Sequence, residues 1–146
     1  MDYHPSEKTL NKIQNWDVLK DIVGFLIMIE SNHVYDSYLI NKTVKDPYSR
    51  RLILEINFST AGWSGNEDLV YSVLKNEMFK LICYYSWRKG GHYVFRIDPI
   101  AFGFKPIKQF CQEENISRQY VWRSEKFEKW TLPKRKTFVR TSIGLK

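Results

Sequence analysis

Gly90 and Gly91 stand between two runs in which apolar side chains recur at every second position. Leu81, Cys83, Tyr85 and Trp87 precede them, and Tyr93, Phe95 and Ile97 follow. Period two is the spacing of a strand with one buried face, so the pattern predicts a β-hairpin over 78–98. Loop length sets its register. A two-residue loop pairs Lys89 with His92 and scatters apolar side chains over both faces. A three-residue loop, Lys89–Gly91 with Gly91 at positive φ, pairs Arg88 with His92. Cys83, Tyr85 and Trp87 then share a face with Tyr93, Phe95 and Ile97, while Ser86, Tyr84, Arg88, His92, Arg96 and Asp98 take the other. A one-residue slip exchanges the faces wholesale. The odd loop segregates them and is the expected one.

Elsewhere the period alternates between helix and strand. Residues 6–33 read as helical, with Ser6 capping Glu7–Gln14 and a second segment placing Trp16, Leu19, Ile22, Val23, Leu26 and Ile29 on one stripe. Phe25, Ile27 and Met28 widen that stripe, which predicts a largely buried helix with a core role. From Tyr38 the period becomes two: a strand over 38–44, a turn at Asp46-Pro47-Tyr48-Ser49, and a strand with Leu52, Leu54, Ile56 and Phe58 alternating with Arg51, Glu55 and Asn57. Ser64 with Glu67 fits a capping box opening a helix over 65–76, whose buried stripe is Leu69, Val70, Val73 and Leu74. Pro106 suits the first turn of a helix 106–114, a second follows from Ile116 to about Phe127, and Trp130–Lys146 reads as an edge hairpin or a loose tail. The expected fold is α+β: one domain over 1–146, an antiparallel sheet from hairpins at about 38–58 and 78–98, an N-terminal helix and a short helix 65–76 packed on it, then C-terminal helices and a basic tail.

Composition narrows the class. The chain has 146 residues, 43% of them apolar and 16% aromatic, which is no disordered polyelectrolyte. The longest apolar stretch, Ile22–Ile29, is far short of the roughly 20 residues of a membrane span, and it begins too far in, behind Asp17 and Asp21, for a signal peptide. The expectation is a cytoplasmic protein with no membrane partner. Cys83 and Cys111 make no disulfide framework, and His4, His33 and His92 occur without CxxC or HxxxH spacing, so neither metal nor cofactor is expected.

Charge is unevenly placed. The net +7 divides at residue 117: residues 1–117 carry 14 basic and 14 acidic side chains, and residues 118–146 carry nine and two. The last 29 residues therefore hold the whole excess, mixed with Tyr120, Trp122, Trp130 and Phe138. Cations supply sequence-independent affinity for phosphates and rings stack on unpaired bases. Pro106–Arg123 resembles the turn region of a helix-turn-helix: Cys111 is small where two helices touch, Asn115 tolerates the left-handed turn position, and Ile116 and Val121 are apolar anchors five residues apart. The resemblance places Arg118, Gln119 and Arg123 on the second helix, although Ser124 falls where a third apolar anchor belongs and residues 93–104 look extended where a leading helix would be. The expected function is non-enzymatic binding of nucleic acid through Arg118, Gln119, Tyr120, Arg123, Lys126, Lys129, Lys134, Arg135, Lys136 and Arg140. A protein-binding inhibitor or immunity-type module, neutralising an acidic protein partner with Trp122, Trp130, Tyr120 and arginines as anchors, fits the same composition. The sequence fixes no oligomeric state.

One segment suggests chemistry. Gly90-Gly91-His92-Tyr93-Val94-Phe95-Arg96 resembles the Gly-Ser-His-His-x-Phe segment of HicA-type toxins, with Gly91 at the family's serine position, and the preceding Asp68–Asn76 helix follows the family's order. The resemblance implies a small metal-independent ribonuclease with a double-stranded-RNA-binding-like fold. His92 would be its base, with Arg88 and Arg96 on the same expected face to meet the phosphate. Other templates fail. Asp46 with Glu55-Ile56-Asn57 lacks the lysine of a restriction-nuclease site, Gly62-Trp63-Ser64-Gly65 falls short of a nucleophile elbow, and Cys111 has Glu113 and Glu114 as its charged sequence neighbours.

Overall fold

The computed structural model describes residues 4–34 and 39–141; Tyr38, read above as opening a strand, and residues 142–146 of the basic end lie outside them. The fold is α+β with two antiparallel sheets. One sheet has the order β1 (Leu39–Lys45), β2 (Leu52–Ser59), β4 (His92–Ile97), β3 (Tyr84–Arg88), and the other has the order β5 (Lys105–Pro106), β7 (Lys136–Thr141), β6 (Phe127–Leu132). Contacts gather into two compact units, residues 1–41 with 55–97 and residues 42–54 with 98–146. Among the described residues no helix is long and apolar enough to cross a membrane.

In the first unit, the helical reading of 6–33 resolves into two helices. α1 (Glu7–Gln14) starts as expected, with the Ser6 hydroxyl accepting the Thr9 amide at 3.1 Å. α2 (Ile22–Asn32) begins later than Trp16, because the Asp21 carboxylate caps it through the Gly24 amide at 2.8 Å. Trp16 and Leu19 therefore belong to the connection, where the Trp16 indole donates to the Asp21 carbonyl and the buried Asn76 amide donates to the carbonyls of Ile13 and Trp16. Ile27 is exposed, so α2 is less enclosed than its composition implied. α3 (Ser64–Lys75) buries Leu69, Val70 and Val73, but Trp63 is its cap residue and the Ser64 hydroxyl contacts His4 in place of closing a capping box.

The strand expected from residue 78 is instead a helix, α4 (Glu77–Cys83), up to Cys83. The Asn76 side chain accepts the Phe79 amide at 3.1 Å and starts it. Phe79 and Cys83, four apart, face inward, whereas Leu81 is 81% exposed. Phe79 bridges Phe25 and Phe95, with ring centres 4.8 and 5.3 Å away. The hairpin β3–β4 has the three-residue loop, pairing Arg88 with His92, and both glycines have positive φ. A side chain at Gly91 would start 2.3 Å from the Thr60 hydroxyl. One detail overturns the expected faces: a bulge between Tyr84 and Ser86 inserts Tyr85 as an extra residue. Tyr84 thereby joins Phe95, at 6.2 Å, and Tyr85 moves to the Arg96 side, its ring 3.8 Å from the guanidinium carbon.

The second unit centres on β7. Its register with β6 runs from Phe127 opposite Thr141 to Leu132 opposite Lys136, and β5 pairs along its other edge. The described part of the expected tail is thus a hairpin whose second strand is central in its sheet. Before it, Asp98 accepts the Ile100 amide and opens a short 3₁₀ turn, Pro99–Phe102. α5 (Ile107–Glu114) and α6 (Arg118–Arg123) lie between β5 and β6.

Candidate nucleic-acid interface

The helix pair is built as its spacing implied. Asn115 closes α5 in the left-handed conformation, φ 54° and ψ 48°, and its amide donates to the Cys111 carbonyl. Cys111 and Ile116 pack on a buried cluster of Ile107, Phe110, Val121, Phe127 and Val139. Phe127 joins that cluster from a strand, whereas Ser124 is the C-cap of the second helix and no part of it. The Ser117 hydroxyl accepts the Tyr120 amide and starts α6, which is shorter than the expected 116–127. Its end has a definite cause. The Lys129 ammonium donates to the carbonyls of Val121, Trp122 and Ser124 at 3.0, 3.3 and 2.9 Å, closing the helix just before Phe127 turns into the core.

The ten residues named from the sequence therefore divide. Arg118, Gln119, Tyr120 and Arg123 are exposed on α6, and Lys126 is exposed just after it. Lys134 and Arg135 are exposed in the β6–β7 turn, both at positive φ (68° and 60°), and Lys136 is half-buried at the start of β7. Among the described residues Arg118, Arg123, Lys134 and Arg135 meet no carboxylate. Lys129 and Arg140 need correcting as surface cations. Lys129 caps α6, and Arg140 is 4% exposed, donating to Glu128 at 2.6 Å and to the Phe102 carbonyl at 2.8 Å with Phe104 beneath it. Their partners come from other elements, which local spacing does not reveal. Of the rings interleaved with the basic residues, Tyr120 and Trp122 are half exposed on α6, whereas Trp130 and Phe138 are buried.

Charge is more sharply divided in space than along the chain. Residues 42–54 with 98–146 hold 15 basic and six acidic side chains, net +9, and the other unit holds eight and ten, net −2. Lys42, Lys45 and Arg50, far from the C-terminus in sequence, belong to the basic unit. The Thr43 hydroxyl donates to the Pro133 carbonyl and ties the strand of Lys42 and Lys45 to the β6–β7 turn. Inside the unit, Lys105 donates to Glu113 at 2.7 Å, and with Gln109 it holds that carboxyl below the usual range.

The other candidate chemistry is only partly assembled. Arg88 and His92 are cross-strand partners and both exposed, but Arg96 donates to the buried Glu55 at 2.9 Å and stacks on Tyr85. His4 joins Ser64, at 3.2 Å, to Asp68, at 3.3 Å, the order of a hydrolase triad. The side chains of His4 and Asp68 are 43% and 50% exposed, whereas a triad's orienting carboxylate is buried, and the contacts serve to hold residue 4 to α3. Among the described residues no cluster of His, Cys, Asp or Glu is placed to hold a metal ion. Comparison with protein-family models, with curated proteins and with solved structures finds no match.

Proposed function

We propose that residues 98–141 bind duplex nucleic acid, with α6 presented to a groove and the β6–β7 turn to the phosphate backbone. The observation that carries this reading is the set of four exposed cations, Arg118, Arg123, Lys134 and Arg135, that meet no carboxylate among the described residues, in a unit of net charge +9. The connectivity supports it. β5, α5, turn, α6, β6 and β7 follow in the order of a helix-turn-helix carrying a hairpin wing, with the 3₁₀ turn Pro99–Phe102 where a leading helix would stand. That likeness is one of connectivity alone, so the function rests on the side chains.

Dimensions fit the two contacts. The six residues of β6 carry the chain about 20 Å from α6 to the turn. A major groove is about 12 Å wide. With α6 in the groove, the turn therefore falls on flanking phosphates. Gln119 and the two arginines are the types that hydrogen-bond base edges, while Lys134 and Arg135 act as phosphate contacts without sequence preference.

The test is fluorescence anisotropy with duplex DNA, single-stranded DNA and an RNA hairpin at low salt. Tightest binding to a duplex, lost on Arg118→Gln with Arg123→Gln, supports the proposal. Binding to none of the three overturns it and leaves an acidic protein as the partner for this charge.

A further inference from the structure

A groove in the acidic unit, of about 360 Å³, is lined by Thr60, Gly62, Glu67, Tyr71, Trp87, Tyr93 and the Gly90-Gly91 loop. Two elements build it. Glu67 and Tyr71 are four apart on α3 and so share a face, and Trp87 and Tyr93 are directly paired across β3–β4. Burial, with Tyr71 and Glu67 nearby, raises the Tyr93 phenol above its ordinary range. The loop is fixed against the groove floor by the Thr60 amide, which donates to the Gly91 carbonyl at 3.0 Å. Tyr71 and Trp87 are nevertheless 48% and 51% exposed, so aromatic surface faces the open groove.

The lining selects its ligand by charge. Glu67 is the one formally charged residue among those lining the groove, and the unit around it has net charge −2. A purely apolar ligand would strip water from that carboxylate without compensation. A phosphate would be repelled by it. A hard metal ion needs several oxygen ligands, and three aromatic rings supply none of the right kind. An ammonium whose hydrogens are replaced by methyl groups loses little hydration and gains from ring faces and from the carboxylate. We propose that this groove binds a methylated ammonium group, with Trp87, Tyr71 and Tyr93 as its aromatic walls and Glu67 as its counter-charge. The volume holds such a group together with part of the chain that carries it, whether a free small molecule or a methylated lysine of a peptide.

The experiment follows the five tryptophan indole N–H signals of the ¹⁵N-labelled full chain by NMR. Four compounds are titrated: choline, its uncharged carbon isostere 3,3-dimethylbutan-1-ol, a trimethyllysine peptide and the same peptide with unmodified lysine. The expected result is a saturable shift of the Trp87 signal, with choline binding at least about 10-fold tighter than the isostere and the methylated peptide about 10-fold tighter than the unmodified one. Trp87→Ala, read from the Gly90 and Gly91 amide signals of the groove, removes at least about 10-fold of that affinity. Glu67→Gln, a change on α3 outside the hairpin, removes about 5-fold. A peptide that outbinds choline makes a protein the source of the group; the reverse makes it a small molecule, and both orders carry the proposal. Equal affinity for choline and its isostere, or no Trp87 shift from any of the four, overturns it.

Discussion

Lys134 and Arg135 occupy two successive left-handed positions in a turn where Asn and Gly are the unstrained residues. Replacing them together, Lys134→Asn with Arg135→Gly, separates stability from binding. An L side chain at positive φ costs about 1 kcal/mol per residue, and the added glycine returns about half of one such term to the unfolded chain. The net gain is about 1–1.5 kcal/mol, which for a chain of 146 residues raises the melting temperature by about 3–5 °C. The same change deletes two cations. Each phosphate contact contributes about 0.9 to the slope of log K against log salt, so at 0.1 M salt the pair is worth about 60-fold in affinity. Thermal melting and anisotropy on one duplex measure both quantities in one preparation. A melting temperature that stays or falls refutes the strain argument. A higher melting temperature with unchanged duplex affinity removes the turn from the interface.

The remaining predictions concern how the fold is held. Gly91→Ala costs about 2–3 kcal/mol in urea unfolding, since its Cβ starts 2.3 Å from the Thr60 hydroxyl at φ +79°, while Gly90→Ala, 3.4 Å from the His92 ring, costs about half as much; the reverse order contradicts the loop geometry. Arg140→Ala costs about 3–5 kcal/mol because it strands Glu128 and the Phe102 carbonyl, whereas Arg118→Ala stays within about 0.5 kcal/mol, both read from denaturant midpoints. Burial pushes the Cys83 thiol well above its ordinary range. The folded chain keeps that proton after the unfolded chain has released it, so stability falls as pH rises beyond about 8.5, by at most about 1.4 kcal/mol per pH unit from this group. A thiol reagent at pH 8 should label Cys111 in the folded protein and both cysteines in denaturant, and rapid native labelling of both would contradict the burial of Cys83.

The hairpin register was legible because a single loop length separated the apolar faces, and Trp87 and Arg88 pair with Tyr93 and His92 accordingly. Upstream, two periods overlapped on the same residues. Leu81, Cys83, Tyr85 and Trp87 satisfy period two, but Phe79 and Cys83 also satisfy the helical spacing. The Asn76 cap, itself held by carbonyls of α1 and of the α1–α2 connection, decides for helix. The exit from α4 into β3 then places a bulge at Tyr85, which alternation alone cannot show. In the candidate interface, Cys111, Asn115, Ile116 and Val121 were readable because a helix-turn-helix pair needs local residue types at fixed spacing. Lys129 and Arg140 were misread as surface cations because α6's carbonyls, Glu128 and Phe102 reach them only in the folded unit. The aromatic groove was invisible for the same reason: Glu67 and Tyr71 are helical, and Trp87 and Tyr93 lie on strands.

In the proposed interface, exposed cations of α6 and the β6–β7 turn bind duplex phosphates and bases. The most direct measurement is the salt dependence of duplex affinity for the wild-type chain beside a variant with Arg118, Arg123, Lys134 and Arg135 all changed to Gln. The two phosphate contacts of Lys134 and Arg135 predict a wild-type slope at least about 1.8 steeper than that of the variant, which also loses the base contacts and binds more weakly, with both proteins equally folded by circular dichroism. A variant that retains the wild-type slope and affinity would place duplex binding elsewhere on the chain and overturn the proposed interface.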